Sequence, residues 1–248
     1  MDDRVTEREG ASSPVDEAIL LCGGRGTRLV GDTEKPLVEV GRRSMVARVL
    51  AALAGSRIRR VVAVTSPHTP ETTAMLDAEP PDLAGPAELA GSNVASGLTC
   101  ELVVGSGDGY VDDLSRALAE VEGPAVSVAA DLPLLCPRDV DDAIDAAASG
   151  VDGGARTGPG DGSTETDPGE GETSIDPVSV CVPVSLKREL GASVDTSFTS
   201  DGREVAPTGL NVVADGDDEV VVRHRERLAI NVNRPPDLDL ARRLADAN

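Results

Sequence analysis

Aromatic side chains are almost missing from this chain of 248 residues: Tyr110 and Phe198 stand alone, and there is no tryptophan. The core must therefore be built from Val, Leu, Ile and Ala. Lysine is scarce too. Of 23 basic residues only Lys35 and Lys187 are lysines, against 44 acidic ones and a net charge of −21. So acidic a surface repels nucleic acid and anionic membranes over a Debye length, which argues against both as partners, and it fits a protein adapted to high salt.

Other absences narrow the field further. Cys22, Cys100, Cys136 and Cys181 lie far apart with no C-x-x-C pair, so neither a zinc site nor a disulfide framework is indicated. No apolar run reaches the roughly 18–20 residues of a membrane span, and the polar start "MDDRVTEREGASSP" is unlike a signal peptide, so the expected location is cytoplasmic. There is no Walker A motif, and "GRGTRL" puts Leu29 where a dinucleotide-binding loop needs its third glycine.

What is present reads as one α/β domain. Residues 1–14 form a polar tail, expected to be disordered, and a single domain is expected over 15–248. Buried-strand runs occur at 18–22, 60–65, 100–104, 125–131, 177–184, 209–214, 219–224 and 228–233. Between them, helices are expected at 44–54, from Pro70 with Thr69 as cap, at 111–121, 138–149 and 237–246. The alternation predicts a Rossmann-like three-layer α/β/α fold with a mostly parallel central sheet and a ligand crevice at the carboxyl ends of its strands. Residues 151–176 carry seven glycines and seven acids, and read as a flexible acidic insertion.

The first strand runs into "LLCGGRGTRLVGDTEKPLVEV". Glycines there let backbone amides crowd around a triphosphate, while Arg25, Arg28 and Lys35 supply charge to oxygens that gain it during transfer. Residues 18–48 hold six basic residues (these three with Arg42, Arg43 and Arg48) against Asp32, Glu34 and Glu39, a basic island in an acidic chain. A strand, then G-G-x-G-T-R, then a lysine before proline is the pattern of a nucleotidyltransferase.

From Val15 onward the chain resembles the GTP:adenosylcobinamide-phosphate guanylyltransferases of the non-kinase cobalamin-pathway type, within the MobA-like nucleotide-diphospho-sugar transferase superfamily. The segments carrying the likeness are "TSPHTPET" (65–72), "GDGYVDDL" (107–114), "AADLPLL" (129–135), "GREVAPTGLNVV" and "AINVNRPPDLDLARRL". The resemblance implies GTP across the strand ends, held by Cys22, Gly23, Gly24, Arg25, Gly26, Thr27, Arg28, Lys35, Ser66, Gly107, Gly109 and Asp131. It implies catalysis by Arg28, Lys35 and Asp131, with Asp131 on Mg²⁺. Gly202, Gly209, Asn211, Asn231 and Asn233 become candidates for the second substrate or for support.

Blander readings stay open beside these. "GDGYVDDL" is equally a glycine turn capped by Asp108, Asp131 could form a turn before Leu-Pro, and the two asparagines could satisfy strand-end backbone groups. His68, His224 and Tyr110 are taken as structural. A related transferase acting on molybdopterin, phospholactate or a sugar phosphate, or a non-catalytic GTP binder, are the competing functions. A homodimer is left open.

Overall fold

The computed structural model describes residues 14–24, 29, 33–78, 98–107, 110–149 and 174–246. The proposed tail up to residue 13 and most of the acidic insertion lie outside them. At the end of that insertion Ile175 is packed into the core and the Asp176 amide donates to Ala147 O at 3.0 Å, so these two residues belong to the folded body.

Strands β1 (Glu17–Leu21), β4 (Arg60–Thr65), β5 (Thr99–Val104) and β6 (Ala125–Ala129) lie parallel in the order β6-β1-β4-β5. Their residues alternate between two apolar clusters, as a period of two requires. Ala18, Leu20, Val61 and Ala63 belong to one cluster, together with Met45, Val46, Val49, Leu50 and Leu53 of α1 (Met45–Ala54) and Val140, Ala143 and Ile144 of α4 (Pro137–Ser149). Ile19, Leu21, Val62 and Val64 face the other cluster, covered by α3 (Tyr110–Leu118) through Leu114, Ala117 and Leu118. Ser44 caps α1 by accepting from the Ala47 amide at 3.3 Å. Between β1 and α1 stand a 3-10 turn (Lys35–Leu37) and a short antiparallel hairpin of β2 (Glu39–Val40) and β3 (Arg43–Ser44).

The second half supplies the antiparallel part of the mostly parallel sheet. β7 (Val178–Pro183) leads into α5 (Val184–Leu190), a helix not expected from the sequence, whose first residue, Val184, the sequence pattern places in the strand. The chain then returns through β8 (Phe198–Ser200) and a long β9 (Arg203–Val213), which enters antiparallel between β6 and β7. The strand expected at 209–214 is thus the second half of β9. Its first half is concealed in the sequence by Pro207 and Gly209, which sit at a register shift against Ser179 and Cys181, a bulge that tolerates proline. β10 (Glu219–Val222) closes this edge beside β7.

A further correction concerns residues 228–233, which are not a strand. They begin in a 3-10 turn (Glu226–Ala229) and continue outside regular secondary structure, with the Val232 amide donating to Asp131 O at 2.9 Å. The chain ends in α6 (Pro235–Asp246). Asp139, fully buried at the start of α4, receives Arg225 at 2.6 Å and Arg227 at 2.6 Å, and thereby ties this last segment to the body. Burial opposes its ionisation, but the two guanidiniums hold its carboxyl below the usual range. No helix among the described residues is long and apolar enough to cross a membrane.

Candidate active site

Four loops leave neighbouring parallel strands at their carboxyl ends: Cys22–Gly24 after β1, Ser66–Thr69 after β4, Gly105–Gly107 after β5, and Ala130–Leu135 after β6. This is the crevice expected of such a sheet.

At the β6 end, side chains from three distant parts of the chain meet. Lys35 Nζ donates to Asp131 Oδ2 at 2.7 Å and to Asn233 Oδ1 at 2.6 Å. The ion pair is partly sheltered, with side-chain exposures of 14% for Lys35 and 18% for Asp131. Asn231 Nδ2 donates to the other oxygen, Asp131 Oδ1, at 3.2 Å and to Thr208 O at 2.6 Å. Both carboxylate oxygens are therefore engaged, one by a cation and one by an amide.

The backbone explains why these groups converge. Pro36 follows Lys35 at the start of the 3-10 turn, where its missing N–H costs nothing, and Pro36 itself is buried, so the lysine is presented from a fixed stem. Asn233 is set by Asp237, which is almost fully buried and accepts from the amides of Asn233 at 3.2 Å and Arg234 at 2.9 Å. Asp237 also takes the amide and hydroxyl of Ser193, each at 2.8 Å, binding the end of α5 to the start of α6. Gly209, at φ +82°, passes close to Asn231: a side chain there would meet Ala129 Cβ at 3.3 Å and Asn231 Nδ2 at 3.7 Å.

Glu34, next to Lys35, replaces the expected helix cap. Thr69 does precede Pro70 at the start of α2 (Pro70–Asp77), but its hydroxyl bonds back to Ser66, accepting from the amide at 3.0 Å and donating to the carbonyl at 3.2 Å. The free helix amides of Glu71 and Thr72 instead donate to the two Glu34 oxygens, each at 2.7 Å. A carboxylate at a helix N-terminus meets both open donors and the positive end of the dipole. Glu34→Ala is expected to lower stability by about 1–2 kcal/mol. Thermal melts would show the loss, and hydrogen exchange would show the Glu71 and Thr72 amides deprotected.

The remaining candidates are distributed unevenly. Cys22 turns its thiol into the core, where burial pushes its pKa well up, while its amide bonds to Val64 O at 2.7 Å. Gly23 is half-buried and Gly24 exposed at the mouth of the crevice. The Ser66 hydroxyl joins two loops, donating to Gly23 O at 3.1 Å and accepting from the His68 amide at 3.2 Å. Gly107 lies against the exposed His68 ring and Pro67. Asn211 stands within β9, paired with Ser127 and Ser179, and Gly202 forms the β8–β9 turn; neither leaves a parallel strand at its carboxyl end. Arg25, Gly26, Thr27, Arg28 and Gly109 lie outside the described residues. Of the basic island, Arg48 serves the scaffold, donating to Pro133 O at 2.7 Å and Val40 O at 3.2 Å, and so bracing the loop that follows Asp131.

Two residues that the sequence did not point to as part of the site also belong here. Lys187, on α5, is 4% exposed and donates to Asn231 Oδ1 at 3.3 Å. Asp113, on α3, is 6% exposed and lies beneath Gly23 and Gly105; its Oδ1 makes no hydrogen bond, and a methyl at Gly105 would sit 2.0 Å from it. The scarcity of lysine was the available signal for Lys187.

Comparison with known proteins follows the same lines. Residues 18–197 match the family model described as a MobA-like NTP transferase domain. The chain is 27% identical over 129 residues to an adenosylcobinamide-phosphate guanylyltransferase of Methanocaldococcus jannaschii, covering 52% of this chain and 58% of that protein. It is 32% identical over 140 residues to a 2-C-methyl-D-erythritol 4-phosphate cytidylyltransferase of Frankia casuarinae, covering 56% of this chain and 45% of that one. The matches thus span about half the length of these relatives. Among solved structures, a hypothetical transferase from Thermus thermophilus superposes with a TM-score of 0.54 at 16% identity, over 90% of this chain and 99% of the other, a likeness of fold.

Proposed function

Because the chain belongs to the MobA-like NTP transferase family, we propose that it is a guanylyltransferase moving GMP from GTP onto adenosylcobinamide phosphate, giving adenosylcobinamide-GDP and pyrophosphate. The observation that carries this reading is the convergence of Lys35, Asp131 and Asn233 at the end of β6, beside the glycine loop of β1. The acceptor is suggested by the relative from Methanocaldococcus jannaschii and by the loops "TSPHTPET" and "GDGYVDDL".

Neighbouring strands are ~4.8 Å apart, so the three spacings from β6 to β5 span about 14 Å, room for a nucleotide laid across the strand ends. In this reading the phosphates lie toward Lys35 and the base toward Gly105 and Gly107. An oxygen of the acceptor phosphate attacks the α-phosphorus in line; one P–O bond forms as the bond to the β-phosphate oxygen breaks, and the pyrophosphate departs with the electron pair. No protein nucleophile is required, so the rate comes from position and charge. Lys35, drawn from Asp131 toward phosphate, would stabilise the charge that builds on the non-bridging and leaving oxygens, with Asn233 keeping its Nζ aligned. Arg28 is proposed to add a second cation from the glycine loop.

Mg²⁺ is proposed as the accompanying ion, with Asp131 as its protein ligand. A single carboxylate suits a hard cation that completes its oxygen shell with phosphate and water. When bound, the ion would neutralise phosphate charge.

The test is to incubate the protein with GTP and adenosylcobinamide phosphate and measure pyrophosphate. Release dependent on both is the expected result, together with preference for GTP over ATP and CTP in binding titrations. Equal use of CTP, or release with a different phosphorylated acceptor only, would reassign the substrate within the family.

A further inference from the structure

Lys187 takes no part in the chemistry proposed above, yet it is held by three acceptors in the site. Its Nζ donates to Ala229 O at 2.8 Å, Asn231 Oδ1 at 3.3 Å and Ser193 O at 3.4 Å. An ammonium has three donors and no acceptor, so all of its capacity is spent within this small space. Burial draws its pKa down, against the pull of Asp237, Asp131 and Asp195. A buried charge is costly to keep where an apolar side chain of similar length would pack, and a methionine would fill this position.

We infer that Lys187 is a positioning residue for Asp131, acting through the carboxamide of Asn231. Because lysine can only donate, Asn231 must turn its oxygen toward Nζ. Its NH₂ is then directed the other way, and its two hydrogens reach Thr208 O at 2.6 Å and Asp131 Oδ1 at 3.2 Å. The flipped amide would set NH₂ against an ammonium and its oxygen against a carbonyl and a carboxylate, three wrong contacts at once. The amide is thereby locked, and one Asp131 oxygen with it. The other oxygen, Oδ2, is the one that faces Lys35.

This role rests on the proposed function of Asp131, and a double-mutant cycle tests it. Turnover is measured for the native protein, Lys187→Met, Asn231→Ala and the double variant, with a thermal melt of each. Lys187→Met is expected to lower turnover about tenfold in the native background and to cause no further loss once Asn231 is alanine. Calorimetric Mn²⁺ titration with a non-hydrolysable GTP analogue should weaken by a similar factor, whereas KM for the acceptor should stay unchanged. Lys187→Gln, uncharged and of similar reach, is carried through the same cycle so that a folding failure of the methionine variant leaves the comparison intact. Losses that multiply, with Asp131 still essential, would overturn this role alone. Full turnover in Asp131→Asn would overturn both it and the functional reading.

Discussion

Lys35→Ala is expected to slow nucleotidyl transfer by about 10²–10³-fold, the range found when one preorganised donor to a developing charge is removed. The melting temperature should hardly move. The Lys35–Asp131 pair is mostly buried but keeps 14% and 18% of its side chains exposed, so water can reach Asp131 once the lysine is gone and the cost to folding is held to about 1 kcal/mol. Asp131 would keep its bond to Asn231, and the loop would keep its Glu34 anchor on α2. Single-turnover pyrophosphate release, set beside a thermal melt, separates the two effects. A variant with native transfer rate would remove Lys35 from the chemistry, and one that fails to fold would make it structural.

The second large effect is expected from Asp131→Asn, and here two readouts should separate. Turnover should fall by at least the about 100-fold that loss of an outer-shell partner alone can produce. Metal-free GTP, by contrast, should bind no more weakly than to the native protein, because a carboxylate that would repel the triphosphate has gone and Lys35 is released from its pair. The increment in affinity that Mg²⁺ adds should disappear. Nucleotide titrations with Mg²⁺ and with a chelator test this directly. An Mg²⁺ increment that survives in the variant would place the metal elsewhere.

The parts of this arrangement that sequence could foretell are those in which local pattern and final environment agree. The runs that became β1, β4 and β6 are largely apolar because both of their faces are covered, and α1 shows its apolar stripe from Met45 to Leu53. Where a residue's role is set by a remote partner, the pattern was silent or misleading. "LAINVN" looks like a strand, but its residues are buried by lying across Asp131 rather than by pairing in the sheet. β9 is interrupted on paper by Pro207 and Gly209, and its place between β6 and β7 is a property of topology that no periodicity carries. The motif asparagines were visible, whereas the bond from Lys35 to Asn233 spans 198 positions. Nothing in "VSLKREL" itself singles out Lys187; only the fold shows that it is turned inward.

One consequence concerns reagents rather than substrates. Besides its α-amine the protein offers just two primary amines, Lys35 and Lys187, and both belong to one hydrogen-bonded cluster, the second of them shut away from water. Acylating or reductively alkylating agents, which decorate most proteins at dozens of places, would here have a single accessible side-chain target, at the crevice. Ordinary amine chemistry thus becomes a footprinting tool for this molecule: protection of one modified peptide in a mass spectrum reports occupancy, with no engineered label and no knowledge of which acceptor is bound.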